Sequence, residues 1–328
     1  MFSHIVPKTY LKTWKVPDKK ESIFVFTKDT PTSKGIIRNL SKLSNTGFGK
    51  QNYYYLTIDK CMSKIYDFMF DDLLNKLNKS YYFIYKDKLI QDGAMFRLCY
   101  FNHKDEIEVI RKKDNFKTTI NKIHNDINRI WDEEKKHFIE DFFSKNVEND
   151  WNKVVDEIST KTKNNTITTL NANYQQILIL LIVLLLFRNH NYIKRFHPQF
   201  KTFDENELID LSNDSITEFI LLFTQRKYNK NNFISASYQK MIEANLCFEF
   251  LLSENCDFIT SDNPTFFYDK SLYFPISPSI CLKLYTYKHK KLIINPVKKE
   301  KTKEINKLCI QNCYNNIAFY CDNIADLI

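Results

Sequence analysis

The chain has 328 residues and a formal net charge of +9, and 43% of its residues are hydrophobic. This length and apolar content predict a folded protein with a sizeable core, and they argue against disorder. Only 4 residues are glycine, which argues against the glycine-rich loops that cradle phosphates in P-loop and Rossmann proteins.

The basic charge makes nucleic acid or an acidic membrane surface a candidate partner. The alternative is a composition rich in Lys, Asn, Ile, Phe and Tyr without a functional meaning, since the basic residues are scattered along the chain. The 8 cysteines form no CxxC pair, and the first 20 residues lack the apolar centre of a signal peptide. We therefore expect reduced thiols in a cytoplasmic protein.

Residues 1–59 are predicted to form a β-rich N-terminal part. A short helix is expected at Pro7–Trp14, because proline suits the first turn of a helix. Aromatic and β-branched residues predict strands at Ile23–Phe26, Ile36–Leu40 and Tyr53–Ile58.

Residues 60–200 are predicted to form a helical lobe, since apolar residues recur at helical spacing, including the long segment Phe116–Phe143. The lobe contains a predicted helix at Ile167–Arg188 with an uninterrupted apolar run, Ile177–Phe187. A helix that is apolar on all sides must be buried. The run is also too short to cross a bilayer, which takes about 20 apolar residues. We expect a buried central helix and no membrane segment.

Residues 201–328 are predicted to form an α/β C-terminal part. Helices are expected at Phe219–Phe223, Tyr238–Ala244 and Ile305–Tyr314, and strands at Leu246–Leu252, Phe258–Thr260, Ile280–Tyr287, Lys291–Ile294 and Ile317–Cys321. The whole chain therefore predicts a single α+β domain. Its mixed β-sheet would be built from the N- and C-terminal parts and packed against the helical lobe.

Four short motifs follow one another along the chain: His4–Trp14, Phe187–Arg188, Phe258–Pro264 and Phe274–Pro278. Their order resembles the family of domain of unknown function 4238 (DUF4238), whose members open with His-x-x-Pro…Tyr-Leu and later carry Ser-Asp-x-Pro and Pro-x-Ser-Pro. The resemblance runs from His4 to the last helix. It departs at Lys8, where Gln is common, and at Trp14, where Phe is common. It implies a bacterial, cytoplasmic, single-domain protein and brings no established reaction.

Two motif residues are candidate catalytic groups, His4 and Asp262. A histidine titrates near neutral pH, so His4 could act as general acid or base; the alternative is that it pins the N-terminus to the core. Asp262 follows a predicted strand and could bind a metal, orient His4 or hold a substrate hydroxyl. The alternative is an Asx-turn on its own backbone.

Three further residues are candidate substrate contacts. Lys8 follows His4 by four residues and could face the same pocket, and Asn263 is held extended by the proline after it. Arg188 ends the apolar helix, where it could clamp a phosphate or carboxylate or form an ion pair with an Asp such as Asp262. His190 and His197 have a spacing that matches no zinc motif. No residue is assigned as a metal ligand. Whether the protein uses a cofactor is unknown, and a divalent metal ion is one possibility.

A basic and aromatic segment, Tyr285–Lys291, has two interpretations. It could bind single-stranded nucleic acid by stacking, or it could be an edge strand whose lysines prevent aggregation.

The sequence leaves two functions open. The first is a hydrolase acting on nucleic acid or a nucleotide, with His4 as general acid/base, Asp262 as metal ligand or orienter, and Arg188 or Lys8 on the phosphate. The second is a non-catalytic binding protein, such as the sensing partner of a bacterial defence or toxin system. In that case the same residues form a buried polar network.

Overall fold

A computed structural model of the chain describes residues 2–4, 6–19, 21–28, 35–43, 48–51, 54–164, 169–188, 193–194, 198–227, 229, 231–254, 256–319, 321 and 324–328. The chain forms two compact units. Unit 1 comprises Met1–Tyr53, Phe142–Ser212 and Leu222–Ile328, and unit 2 comprises Tyr54–Asp141 and Asn213–Leu221. The predicted single domain, with parts 1–59, 60–200 and 201–328, stays a prediction.

The helices and strands follow one another in a mixed order that confirms the predicted α+β class. The α-helices include Lys8–Leu11, Asp67–Leu77, Gly93–Asn102, His124–Glu134, Phe138–Phe143, Asn149–Lys163, Ala172–Arg188, Glu205–Thr224, Phe233–Glu243 and Lys299–Asn312. The strands are β1 (Phe2–His4), β2 (Ser22–Thr27), β3 (Ile36–Asn39), β4 (Gly49–Gln51), β5 (Tyr81–Tyr85), β6 (Lys88–Leu89), β7 (Glu108–Arg111), β8 (Phe116–Thr119), β9 (Leu246–Ser253), β10 (Thr260–Ser261), β11 (Phe266–Tyr268), β12 (Ser271–Ser277), β13 (Ile280–Thr286), β14 (Lys291–Val297) and β15 (Asn316–Phe319).

Strands from both ends of the chain share one sheet of unit 1. Its order is β10-β15-β2-β3, and every neighbouring pair is antiparallel. The mixed sheet is a separate one of five strands, in the order β11-β12-β13-β9-β14. There β14 runs parallel to β9, while the other pairs are antiparallel. The single predicted sheet is therefore divided into two, and the C-terminal part supplies the mixed one.

The central helix, Ala172–Arg188, is the buried helix that the apolar run predicts. Every residue from Leu178 to Arg188 is buried. It begins later than the predicted Ile167, because the Asn171 side chain accepts a hydrogen bond from the Asn173 backbone N–H and fixes the start of the first turn. The helix packs against the helices Asn149–Lys163 and Phe233–Glu243.

The N-terminal helix of unit 1 also forms where it is predicted. An α-helix at Lys8–Leu11 continues as a 3₁₀ turn to Trp14, and Pro7 precedes it with an extended backbone. Tyr10, Leu11 and Trp14 are buried and form the inner face of this helix.

Unit 2 contains a β-sheet in a stretch of sequence whose apolar spacing predicts only helices. Strands β5 to β8 form an antiparallel sheet in the order β6-β5-β7-β8. Lys86 and Asp87, between β5 and β6, both have a positive φ, which is the geometry of a tight hairpin turn. Turns of this type usually contain glycine or asparagine, and a Lys-Asp pair is unusual in them. The sequence therefore carries no signal for a hairpin at this position.

Two other predictions for unit 2 are corrected. The long helical segment starting at Phe116 is wrong at its beginning, because Phe116–Thr119 is strand β8 and the α-helix starts at His124. The predicted strand Tyr53–Ile58 is also wrong, since residues 54–57 form no strand and a 3₁₀ turn begins at Ile58. Tyr53 itself lies outside the described residues.

The core of unit 2 is aromatic and tightly packed. The ring of Phe70 contacts those of Phe96 and Trp131, with centroids 6.3 and 5.1 Å away. Gly93 starts the helix Gly93–Asn102 against the backbone of the helix Asp67–Leu77, where a Cβ atom would overlap backbone atoms of Asp71. Glycine is therefore required here by the close approach of two helices.

No helix within the described ranges is long and apolar enough to cross a membrane. The 8 cysteines are all free thiols. Cys309 and Cys313, which have helical spacing, are both buried in the core of unit 1.

Candidate functional site

Three of the four sequence motifs meet at the side chain of Tyr10. Its hydroxyl donates a hydrogen bond to the carbonyl oxygen of Pro275 (2.6 Å) and lies 2.7 Å from the hydroxyl of Thr260. One turn later, the Thr13 hydroxyl donates a hydrogen bond to the carbonyl oxygen of Ile276 (3.0 Å). The N-terminal helix is thereby joined to β10 and β12, although more than 200 residues separate them in sequence.

Aromatic rings enclose Tyr10. The ring of Phe274 stacks on it at a centroid distance of 5.2 Å, and those of Trp14 and Trp151 lie at 4.9 and 5.9 Å. Burial raises the pKa of Tyr10 well above its ordinary value, although the hydrogen bond with Thr260 opposes this. The phenol therefore stays neutral and acts as a hydrogen-bond donor inside the core.

Asp262 is a buried carboxylate held by the backbone of a distant segment. Its two oxygens accept hydrogen bonds from the backbone N–H groups of Tyr314 (2.8 Å), Asn315 (2.9 Å) and Asn316 (2.9 Å). Asp262 is only 3% exposed. The bonded segment connects the helix Lys299–Asn312 to β15. Asp262 thus accepts from two amides of the connection, Tyr314 and Asn315, and from the amide of Asn316, which begins β15.

The local turn expected from Asp262 is formed by its neighbour instead. The Ser261 hydroxyl donates to the carbonyl oxygen of Asn263 (2.8 Å) and accepts from its N–H (3.2 Å). The Asx-turn interpretation of Asp262 is therefore wrong. The Asn263 side chain donates to the carbonyl oxygen of Asn312 (2.8 Å), which ties the same loop to the end of the C-terminal helix.

Burial raises the pKa of Asp262, and the three backbone hydrogen bonds oppose that rise. The two effects have opposite signs because a low-dielectric interior disfavours the charge while amide donors favour it. The carboxylate is consequently balanced by peptide dipoles.

Arg188 ends the central helix as a buried cation that is 4% exposed. Its guanidinium carbon lies 3.7 Å from the centroid of the Phe143 ring, a cation–π contact. Ser212 also contacts this helix end, because its hydroxyl donates to the Phe187 carbonyl oxygen (3.1 Å). The described contacts thus place Arg188 on an aromatic face and Asp262 on backbone amides, so each has its own partners.

Lys8 lies on the surface of the N-terminal helix and forms an ion pair. Its ammonium nitrogen is 2.8 Å from Oε2 of Glu21, and that of Lys12 is 3.2 Å from Oε1. Hydrogen bonds from Lys8 and then Lys12 hold the pKa of Glu21 at about 2. Lys8 therefore serves to pair this carboxylate in the described structure.

The pairing of Glu21 predicts a pH-dependent contribution to stability. The folded-state pKa lies below the unfolded one, so the contribution is complete above the unfolded pKa and is lost as the pH falls towards 2. We expect Glu21→Gln to lower the melting temperature near neutral pH, and the difference from wild type to shrink steadily below about pH 4.5. Melting curves recorded between pH 3 and 7 measure this. A difference that is independent of pH would contradict it.

Three histidines were named in the sequence analysis: His4, His190 and His197. The backbone of His4 is in β1 and pairs with Gly49 of β4, but its side chain lies outside the described residues. His190 and His197 also lie outside them. The convergence of His4, Arg188 and Asp262 therefore stays a prediction. Within the described parts of the chain, no group of three or more His, Cys, Asp or Glu side chains could hold a metal ion.

A partly buried charge pair in the mixed sheet was not predicted from the sequence. Glu249 of β9 lies opposite Lys283 of β13, with Oε2 and Nζ 3.1 Å apart. Asn295 of β14 donates to the other oxygen at 2.6 Å. A signal was available, because Glu249 and Lys283 are the single charged residues inside the apolar runs LCFEFLL and ICLKLYT. Only the strand register shows that they meet.

Comparison with known proteins identifies one family. The family described as protein of unknown function (DUF4238) matches residues 3–322 of this chain. No curated protein and no solved structure matches it.

Proposed function

This chain belongs to the DUF4238 family, and we propose that it is a non-catalytic binding protein. One observation carries the proposal: both oxygens of Asp262 accept backbone hydrogen bonds, and the residue is almost fully buried. A metal ligand or substrate-orienting carboxylate needs an oxygen that a ligand can reach. Asp262 has the position and partners of a group that holds the chain together.

The other motif residues support the same proposal. Tyr10 is enclosed by three aromatic rings, and its hydroxyl bonds to Pro275 and Thr260 inside the core. Asn263 ties its loop to the C-terminal helix. Three of the four motifs that define the resemblance therefore act as a buried polar network joining the two ends of the chain. A cytoplasmic sensing partner in a bacterial defence or toxin system is the setting that we propose for such a protein.

A hydrolase acting on nucleic acid or a nucleotide is the competing proposal. It would use His4 as general acid/base, Asp262 as metal ligand or orienter, and Arg188 or Lys8 at the phosphate. The raised pKa of Asp262 favours it, because catalytic carboxyl groups often titrate above their ordinary range. The paired surroundings of Asp262, Arg188 and Lys8 weigh against it.

Turnover assays separate the two proposals. The purified protein is incubated with RNA, DNA and nucleoside triphosphates, with and without Mg²⁺ or Mn²⁺, beside the variants His4→Ala and Lys8→Ala. We expect no product, or a trace equal in all three proteins. Turnover that either variant lowers by tenfold or more while its melting temperature is retained would overturn the binding proposal.

A further inference from the structure

Three tyrosines lie near one end of one face of the mixed sheet. Tyr285 ends β13 on this face, Tyr287 follows two residues later, and Tyr268 ends β11. Side chains alternate between the two faces of a strand, so Tyr285 and Tyr287 point the same way. In β11, Phe266 pairs with Tyr273, which pairs in turn with Lys283. The same alternation therefore puts Tyr268 on that face. We call these three residues the tyrosine platform.

The C-terminal helix covers the other end of this face. Leu251, Tyr273 and Val297 are buried in one core cluster with Ile305 and Cys309 of that helix. Beyond this cover the rings reach solvent: Tyr268 is 43% exposed and Tyr287 is 49% exposed. Two exposed rings, beside the half-buried Tyr285, are thus available to a partner on one sheet face, whereas isolated exposed residues would need no explanation.

Lysines contact two rings of the platform. Lys283 lies over the ring of Tyr285 at 5.0 Å, and Lys291 lies over that of Tyr287 at 5.9 Å. The rings of Tyr285 and Tyr287 meet edge to face, with centroids 6.4 Å apart. Lys288 in the same connection is exposed. On the same sheet face the carboxylate of Glu249 is paired with Lys283, and the exposed Asp269 beside Tyr268 is followed by the exposed Lys270.

We propose that the tyrosine platform binds single-stranded nucleic acid, an assignment that rests on the proposed binding function. Unpaired bases would stack on Tyr287 and Tyr268, and the phosphates would meet Lys288 and Lys291. Stacking on aromatic rings between lysines is the general mode of sequence-tolerant binding to single strands. A duplex keeps its bases stacked on one another and offers only phosphates, so it cannot use the rings. An acidic peptide would likewise use the lysines and leave the rings idle.

The phenol of Tyr285 suits a place beside this surface because it remains uncharged. A hydrogen bond with Cys247 and then burial raise the pKa of Tyr285 above its ordinary value. A neutral phenol does not repel a phosphate. Tyr285 can therefore lie close to the phosphate backbone of a strand whose bases stack on Tyr287 and Tyr268.

Fluorescence anisotropy with a labelled 12-nucleotide oligo-dT and oligo-U tests the proposal on the full chain. We expect Tyr287→Ala to weaken binding by about tenfold, and Tyr287→Phe to bind like wild type, because stacking needs the ring and not the hydroxyl. Lys291→Ala should lower the slope of log K against log salt by about 0.7. The matched control is Tyr82→Ala, a tyrosine on β5 of unit 2 that is 42% exposed with Lys112 at 4.2 Å from its ring centroid.

Three results would overturn the assignment: no binding at low salt, an equal effect of Tyr287→Ala and Tyr82→Ala, or a 12-base-pair duplex or oligo-glutamate bound as tightly as the single strands. These failures are distinct from failure of the proposed function. Turnover in the hydrolase assay removes the binding proposal whatever the platform does. Absence of both turnover and single-strand binding removes only the partner.

Discussion

Replacing Asp262 with Ala is expected to lower the free energy of unfolding by about 4 kcal/mol, since three backbone N–H groups lose a charged acceptor inside the protein. The loss falls on the segment 314–316, which leads from the C-terminal helix into β15. That strand pairs with both β10 and β2, so the damage spreads to strands from both ends of the chain.

Urea unfolding at neutral pH measures this effect. Asp262→Asn keeps one side-chain carbonyl oxygen as an acceptor and should lose about half as much, because neutral hydrogen bonds are weaker than charged ones. The control is Asp156→Ala, which removes an exposed carboxylate from a helix of the same unit and should change stability by less than about 0.5 kcal/mol. An Asp262→Ala protein as stable as the control would show that Asp262 is free for another role.

Replacing Tyr10 with Ala is expected to lower the free energy of unfolding by about 4 kcal/mol, because it removes a fully buried ring from a cluster of three others. Tyr10→Phe keeps the ring and removes only the hydroxyl. It should cost about 2 kcal/mol, because the Pro275 carbonyl oxygen and the Thr260 hydroxyl each lose a partner in the core.

A double-mutant cycle isolates the link between the motifs. Tyr10→Phe and Thr260→Val are measured singly and together, and we expect a coupling energy of about 1 kcal/mol. Tyr82→Phe, an exposed tyrosine of unit 2, is the control and should leave stability unchanged. Additive effects of Tyr10→Phe and Thr260→Val would mean that the hydroxyl pair contributes nothing to joining the N-terminal helix to β10.

Local patterns predicted the elements that are long or strongly periodic. The central helix and the strand Leu246–Ser253 could be predicted from the sequence, because the proportion of apolar residues in each is higher than in a surface segment. The sheet of β5 to β8 could not, since its strands are short and its tight turn uses Lys86 and Asp87 at positive φ. Tertiary contacts outweigh weak local preferences in such segments.

The candidate site shows the same division. The sequence pointed to Asp262 because an acidic residue follows an apolar strand in a proline-containing loop. Its partners are backbone amides about 50 residues further along the chain. Every residue except proline has such an amide, so the sequence does not show which of them bind Asp262. Glu249 and Lys283 were visible as charges in apolar strands, but which charge meets which depends on strand register.

The α+β class, the buried central helix, the N-terminal helix and the family could be recognised from the sequence, because each depends on residue type and spacing along the chain. Three contacts became visible only in three dimensions: Tyr10 joins Thr260 and Pro275, backbone amides hold Asp262, and Arg188 lies on Phe143. Contacts between distant segments depend on register and packing, and the residue types alone leave several partners open for the same side chain.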